Sequence, residues 1–97
     1  MPAPSFSMGR IVATPTALAA LAEAGASPSE LLDRHARLDP GCLDRGDVAA
    51  NHEALVTGAR ILSAYALPSG EKVWVITEAV GDGGQRASTC ILLPDDY

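Results

Sequence analysis

Four residues have side chains of the kind that metal-independent ribonucleases use: His35, Arg60, Tyr65 and Lys72. A histidine can take the proton of a 2′-hydroxyl as a general base, because its ordinary pKa lies near neutrality. Cationic side chains can stabilise the charge that develops on the phosphate, and a tyrosine hydroxyl can donate a supporting hydrogen bond. The alternative is that the three later residues are ordinary strand residues and that His35 is a structural helix residue. Both interpretations stay open at this point.

The other histidine and the two cysteines form no recognisable metal or nucleophile motif. Zinc is usually held by four His or Cys ligands at short spacings. The chain has neither a CxxC nor an HxxxH pair, and its candidates are scattered: His35, Cys42, His52 and Cys90. Cys90 stands in an apolar run, where a thiol is usually an inert packing group. We therefore predict no metal site, no cofactor, and two free thiols in a reducing cytoplasm.

Acidic residues are concentrated in the first half of the chain. Twelve Asp and Glu against seven Lys and Arg give a net charge of −5. This balance argues against nucleic-acid binding, since affinity for phosphates comes from clustered basic side chains. The acidic residues can instead engage a basic surface on a protein partner, although an ordinary solvated helix surface would look the same. The candidate partner-binding residues are Glu30, Asp33, Asp44, Asp47 and Trp74.

Start and stop signals predict two helices before residue 40. Thr14-Pro15 is a cap followed by proline at the first helical position, and Gly25 ends that helix. Ser27–Glu30 is a capping-box sequence, and Pro40-Gly41 stops the second helix. Helical spacing places His35 on the apolar face of the second helix. The apolar stripe of the first helix is predicted on Leu18, Leu21 and Ala22.

A third helix is predicted between a cap at Asp44 or Asp47 and an end at Gly58. His52 lies in its apolar register, which predicts a partly buried structural residue. The apolar residues of this helix are Val48, Leu55 and Val56.

Stretches rich in β-branched and aromatic residues predict one strand before the helices and three after them: 10–14, 60–67, 72–79 and 87–93. The glycines of 80–86 predict a mobile loop, and the residues after Pro94 an acidic tail. The predicted fold class is α+β, with an N-terminal strand, two to three helices, and a three-stranded antiparallel meander packed on the helices. Residues 1–9 are predicted to be a flexible arm, and 10–97 a single domain.

The strand at 72–79 has apolar residues on both faces, Val73 and Val75 on one and Trp74 and Ile76 on the other. A half-solvated strand would alternate apolar and polar residues. The helices can cover one face, so the other is either covered by the N-terminal segment or offered to a partner, including a second copy through the sheet. No apolar run is long enough to cross a bilayer, which predicts no membrane contact. The N-terminal residues lack the charged and apolar regions of a secretory signal, which predicts a cytoplasmic protein.

Six segments carry a family resemblance: RIVATP (10–15), SELLDRH (29–35), NHEAL (51–55), GARILSAY (58–65), GEKVWVITE (70–78) and TCILLPDDY (89–97). They resemble the short bacterial "plasmid-related proteins" of plasmids and integrative elements, some of which are labelled as a type I restriction subunit. Residues 39–44 stand where that family has a Trp-Gly-Asp pattern, and 80–88 replace a compact Asp-Arg-Ser turn. The order of elements is also similar, more distantly, to the RelE-like ribonuclease toxins, which are usually basic.

The family has no established activity to transfer, so the resemblance implies only a mobile-element setting. Together with the small size, the net acidity and the two-sided apolar strand, it predicts an accessory protein that acts by protein–protein binding. The expected target is a host defence or regulatory complex, as in anti-restriction or anti-CRISPR inhibition. The alternative function is a RelE-like metal-independent endoribonuclease that uses His35 as the base, Arg60 and Lys72 as cations, and Tyr65 as a donor.

Overall fold

The structure is a computed structural model that describes residues 6–39 and 41–97. The element order is β-α-α-α-β-β-β, followed by a single 3₁₀ turn, which confirms the predicted α+β class. The elements are β1 (Arg10–Ala13), α1 (Pro15–Ala24), α2 (Pro28–Ala36), α3 (Arg45–Thr57), β2 (Ile61–Ala66), β3 (Lys72–Thr77), β4 (Ser88–Leu92) and the 3₁₀ turn (Pro94–Asp96). Among the described residues, no helix is long and apolar enough to span a bilayer.

The helix caps follow the sequence signals closely. The Thr14 hydroxyl accepts a hydrogen bond from the Ala17 amide, and Gly25 ends α1 in the left-handed conformation. Asp44, rather than Asp47, caps α3. At α2 the Ser27 hydroxyl accepts from the Ser29 amide rather than from the Glu30 amide. The predicted capping box therefore does not form there.

The sheet has four strands in the order β1-β4-β3-β2. The last three strands form the predicted antiparallel meander. The first strand joins them parallel to β4, so the sheet is mixed rather than purely antiparallel. Parallel neighbours need a long crossover, and the helices and two strands between β1 and β4 supply one.

The main core lies between the helices and one face of the sheet. Leu21, Leu31, Tyr65, Val73 and Ile91 are among its buried members. The folded chain exposes 5687 Å². About 60% of the surface of the extended chain is therefore buried, close to the fraction expected for a domain of this size. Each helix therefore positions its side chains by packing one face on the sheet.

The predicted apolar stripe of α1 is right for Leu21 and wrong for Leu18 and Ala22, and none of the apolar residues predicted for α3 is fully buried. Helix α1 buries Ala17, Ala20 and Leu21, whereas Leu18 is 47% exposed. The helix packs close to the sheet through its small residues, and Leu18 is rotated away from that line by about 100°. Helix α3 buries Asn51 and Ala54.

Helix α3 also turns a different face inward than predicted, which leaves its predicted apolar residues largely outside the core. Val56 is 89% exposed, Leu55 is exposed and Val48 is half-buried. His52, predicted to be partly buried, is exposed. The face that α3 turns inward is chosen by a polar contact to β2 and by a small residue, neither of which an apolar stripe predicts.

The helices leave the other face of the sheet uncovered in the part of the chain that the structure describes. We call this face, formed by Val12, Leu62, Trp74, Ile76 and Cys90, the open face. Strand register places these residues on one side, because partners in the ladder share a face. The Tyr97 ring covers part of Trp74, with ring centroids 5.8 Å apart. Apart from Val12, which is exposed, these side chains are half-buried.

Residues 6–9 of the predicted arm and the predicted loop of 80–86 both make contacts with the rest of the fold. Phe6 is buried, and the Met8 carbonyl accepts a hydrogen bond from Thr89. Residues 1–5 of the arm lie outside the described residues. An isolated bridge between Val80 and Arg86 closes the glycine-containing turn of 80–86. The acidic tail forms the 3₁₀ turn.

Candidate functional site

A chain of buried polar side chains surrounds His35, the strongest catalytic candidate of the sequence. His35 is fully buried, and its two ring nitrogens lie 2.7 Å from the Ser63 hydroxyl and 2.8 Å from the Thr77 hydroxyl. Thr77 in turn lies 2.6 Å from Thr89, whose hydroxyl donates to the Met8 carbonyl. Helix α2 thus inserts its histidine against three neighbouring strands.

The donor and acceptor of each hydrogen bond in this series can be assigned from its last bond, the one to the Met8 carbonyl. Thr89 uses its proton on a carbonyl, which can only accept, so Thr77 must donate to Thr89. The proton between His35 and Thr77 therefore belongs to the histidine Nε2, and Nδ1 accepts from Ser63. His35 is the neutral Nε2–H tautomer, held by a partner on each nitrogen.

Burial decides what this histidine can do chemically. Desolvation lowers the pKa of His35 to about 4, because the charged ring would lose its hydration. The Phe6 ring packs nearly perpendicular to the imidazole, with ring centroids 5.3 Å apart. No surface of the ring reaches solvent, so a substrate hydroxyl has no path to either nitrogen. The arrangement fits a structural histidine.

Tyr65 is also committed to the interior. Its hydroxyl donates to the Asp39 carbonyl at 2.7 Å, and the Arg34 guanidinium lies 4.4 Å above its ring. Burial raises the pKa of Tyr65 to about 12. The Arg34–Asp39 ion pair, 2.7 Å long, keeps the pKa of that carboxyl below its usual range. These contacts fasten the end of α2 to β2.

The two predicted phosphate cations lie on the other side of the sheet. Arg60 donates to the Tyr97 hydroxyl at 2.5 Å. That tyrosine packs on Trp74, so the arginine is held at the open face. Lys72 is exposed, shares the face of Trp74, and borders a shallow pocket with Glu71 and residues 93–95. The sheet therefore separates His35 and Tyr65 from both cations, and the four do not converge on one site.

The predicted partner-binding residues also divide between the two layers. Glu30 and Asp33 are exposed on α2, and Asp44 and Asp47 are exposed at the start of α3. Among the described side chains, the single ion pair is formed by other residues, so these four carboxylates stay available to solvent. Trp74 lies half-buried on the open face, away from the helices. The acidic residues share the helical layer, but Trp74 does not join them.

The cysteines and acidic side chains show no metal-binding arrangement in the described ranges. No group of three or more His, Cys, Asp or Glu side chains there could hold a metal ion. Both cysteines are free. Cys42 lies exposed beside β2, where its thiol donates to the Ala64 carbonyl, and burial raises the pKa of the Cys90 thiol.

Two polar residues that hold elements together, Arg86 and Asn51, were not predicted from the sequence. Arg86 is buried and donates to the carbonyls of Ala54, Ala59 and Glu78. It therefore closes the end of α3 and the turn of 80–86 with one side chain. Asn51 bonds both the N–H and the C=O of Leu62. Asparagine in the middle of a helix, where it is a poor helix former, was the one signal available for Asn51.

A scan against protein-family models, a search of curated proteins and a search of solved structures each find no match to this chain.

Proposed function

We propose that the protein acts without catalysis, by binding a protein partner that presents a basic surface to the acidic side of its helical layer. The observation that carries this proposal is the exposure of carboxylates on α2 and α3 that no described basic side chain neutralises. The contact residues are Glu30, Asp33, Asp44 and Asp47.

The negative charge is concentrated in one stretch of the chain rather than spread evenly along it. Seven of the twelve acidic residues lie from Glu23 to Glu53, against three arginines, so this stretch accounts for −4 of the net −5. Clustered charge of one sign steers oppositely charged partners and raises their association rate, an effect that salt weakens. A basic protein surface is therefore the partner chemistry that fits.

Nucleic-acid-binding surfaces of proteins are strongly basic, since affinity for phosphates comes from clustered Lys and Arg. The resemblance to plasmid-related proteins supports a target in a host defence or regulatory complex, which would be inhibited by occupation of that surface. The protein would then compete with DNA or RNA for the same residues of its target.

The test is capture from host lysate at low salt, followed by release with duplex DNA. Immobilised wild-type protein should retain a partner that DNA displaces. A variant with Glu30→Gln, Asp33→Asn, Asp44→Asn and Asp47→Asn should lose it. The asparagine at position 44 preserves an N-cap, so the variant should stay folded.

The matched control neutralises four exposed acids outside the helices: Glu71→Gln, Glu78→Gln, Asp82→Asn and Asp95→Asn. It has the same net charge as the first variant and should retain the partner. Equal loss in both variants, or a partner that DNA does not displace, would refute a site on the helical layer.

A ribonuclease activity is not proposed, because its base would be buried on one side of the sheet and its cations exposed on the other. Incubation of the pure protein with total RNA, beside Arg60→Ala, tests this directly. We expect no cleavage by either protein. Cleavage by the wild type alone would reverse the choice.

A further inference from the structure

The two edge strands of the sheet, β1 and β2, differ in whether their outward backbone groups have hydrogen-bond partners. On the β2 edge, Asn51 bonds the outward N–H and C=O of Leu62. The next outward carbonyl, that of Ala64, accepts from the Cys42 amide. An uncovered edge is a template for pairing with another strand, and here α3 and the chain before it remove that template.

The β1 edge has no such cover in the described part of the chain. The Arg10 amide donates to the carbonyl of Ala87, just before β4, and the Thr14 amide donates to the carbonyl of Ile91 in β4. Because backbone groups alternate in direction along a strand, the N–H and C=O of Ile11 and Ala13 point away from the sheet. The side chains of Ile11 and Val12 are 45% and 39% exposed. This edge therefore offers both hydrogen-bonding groups and apolar surface.

We propose that a second copy of this chain pairs with β1, strand against strand and antiparallel, about a two-fold axis at Val12. Each Ile11 then lies opposite Ala13 of the second copy, and the two residues exchange both N–H···O bonds. The two Val12 side chains meet beside the axis on the same side of the sheet. This inference goes beyond the proposed function and uses none of its acidic residues.

The chain allows one register for this pairing. A shift toward the N-terminus would pair Ala13 with Gly9, which has a φ of 63° and is not extended. A shift toward the C-terminus would pair Ile11 with Pro15, which has no N–H to donate. The axis at Val12 keeps every paired residue in extended backbone, since Thr14 has a φ of −75° and a ψ of 150°.

Charge complementarity favours a second copy as the occupant. In this register Arg10 lies opposite Thr14 of the second copy. The Thr14 hydroxyl donates to the Asp96 carboxylate at 2.7 Å, so a negative charge is fixed beside it. No described residue forms an ion pair or a side-chain hydrogen bond with Arg10, whose side chain is exposed. A long side chain reaches that far across an antiparallel pair, and symmetry supplies the contact twice.

Pairing at β1 joins the sheets of both copies into one. The two open faces then lie on the same side and become continuous. A two-fold axis makes the contact self-limiting, because the remaining β2 edges are covered. The expected assembly is a dimer rather than a fibre.

Sedimentation equilibrium from low to high micromolar concentration tests the dimer. Wild type should show reversible dimerisation, and Arg10→Glu should weaken it by about tenfold or more, because it sets like charges face to face. Lys72→Glu makes the same change of charge on an exposed residue away from β1 and should leave the dissociation constant nearly unchanged. A monomer at every concentration, or equal effects of the two substitutions, would overturn the proposal.

Disulfide crosslinking tests the register and does not depend on a destabilising charge. In a Cys42→Ser/Cys90→Ala background, Val12→Cys should form a disulfide-linked dimer under mild oxidation, because paired residues at the axis lie within disulfide range. Ile11→Cys is the control, since its side chain lies on the other face and opposite Ala13. Equal crosslinking of both, or none in either, would refute this pairing.

The two proposals fail separately. Loss of partner capture with an intact dimer rejects the acidic site alone. A monomeric protein that still captures its partner rejects the β1 pairing alone.

Discussion

At the scale of single residues, the structure turns a catalytic candidate into a structural one. His35 has the residue type of a general base, but each of its nitrogens already has a partner. A buried polar network is stabilising when every member is satisfied, and removal of one member leaves the others unpaired. His35 therefore ties α2 to the sheet.

We expect His35→Ala to lower the free energy of unfolding by about 3 kcal/mol, from the cavity and from the unpaired hydroxyls of Ser63 and Thr77. His52→Ala removes the same side chain from an exposed position of α3 and should change stability by less than about 0.5 kcal/mol. Urea unfolding followed by circular dichroism measures both. Similar losses in the two variants would contradict the structural role.

At the scale of elements, Asn51 shows how a helix can protect a sheet. The amide side chain substitutes for a neighbouring strand by bonding both outward groups of Leu62. Beside it Gly41 bridges to Ala64, and a Cβ on Gly41 would lie 1.9 Å from the Ala64 oxygen. The positive φ of 67° and this close approach explain why glycine stands there.

Asn51→Ala should therefore lower the free energy of unfolding by about 2 kcal/mol, because it leaves two backbone groups of β2 without a partner. Hydrogen exchange gives the local measurement: the Leu62 amide should lose protection. Glu53→Ala, on an exposed position of the same helix, is the control and should leave that amide protected. Unchanged protection in Asn51→Ala would show that α3 does not hold this edge.

At the scale of the whole molecule, the buried histidine couples stability to pH. The pKa of His35 is about 4 in the folded protein and about 6.5 in the unfolded chain. Between pH 6.5 and pH 4 the unfolded state binds more protons than the folded state. The stability contributed by neutral His35 is therefore complete above the unfolded pKa of about 6.5, and it is lost as the pH falls toward the folded pKa of about 4.

The free energy of unfolding should fall by about 2 kcal/mol between about pH 7 and pH 5. His35→Ala should lose most of this slope, and His52→Ala should keep it. The hydrogen-bonded carboxyls of Asp39 and Asp96 have lowered pKa values, so their contribution is lost only below their ordinary value of 3.8. A slope that survives in His35→Ala would assign the effect to another group.

The local elements could be predicted from the sequence because their causes are local. Thr14-Pro15 and Gly25 bound α1 through the chain's own caps, and the β-branched residues of 72–77 form β3 as expected. The spacing that placed His35 on the inner face of α2 was also correct, since a helical period depends only on neighbours. The antiparallel meander was also predicted correctly, although only β2 and β3 are joined by a short turn and residues 78–87 connect β3 to β4.

The contacts and strand pairings between elements depend on the tertiary structure and could not be predicted from local sequence. Nothing local indicates that β1 pairs with β4, that Asn51 covers the edge of β2, or that the sheet separates His35 from Arg60 and Lys72. Each depends on residues far apart in the chain, and on which face a helix turns inward. The sequence by itself determined which side chains could do chemistry. Packing determined that both ring nitrogens of the histidine have hydrogen-bond partners, and that the β1 edge is left uncovered by the residues the structure describes.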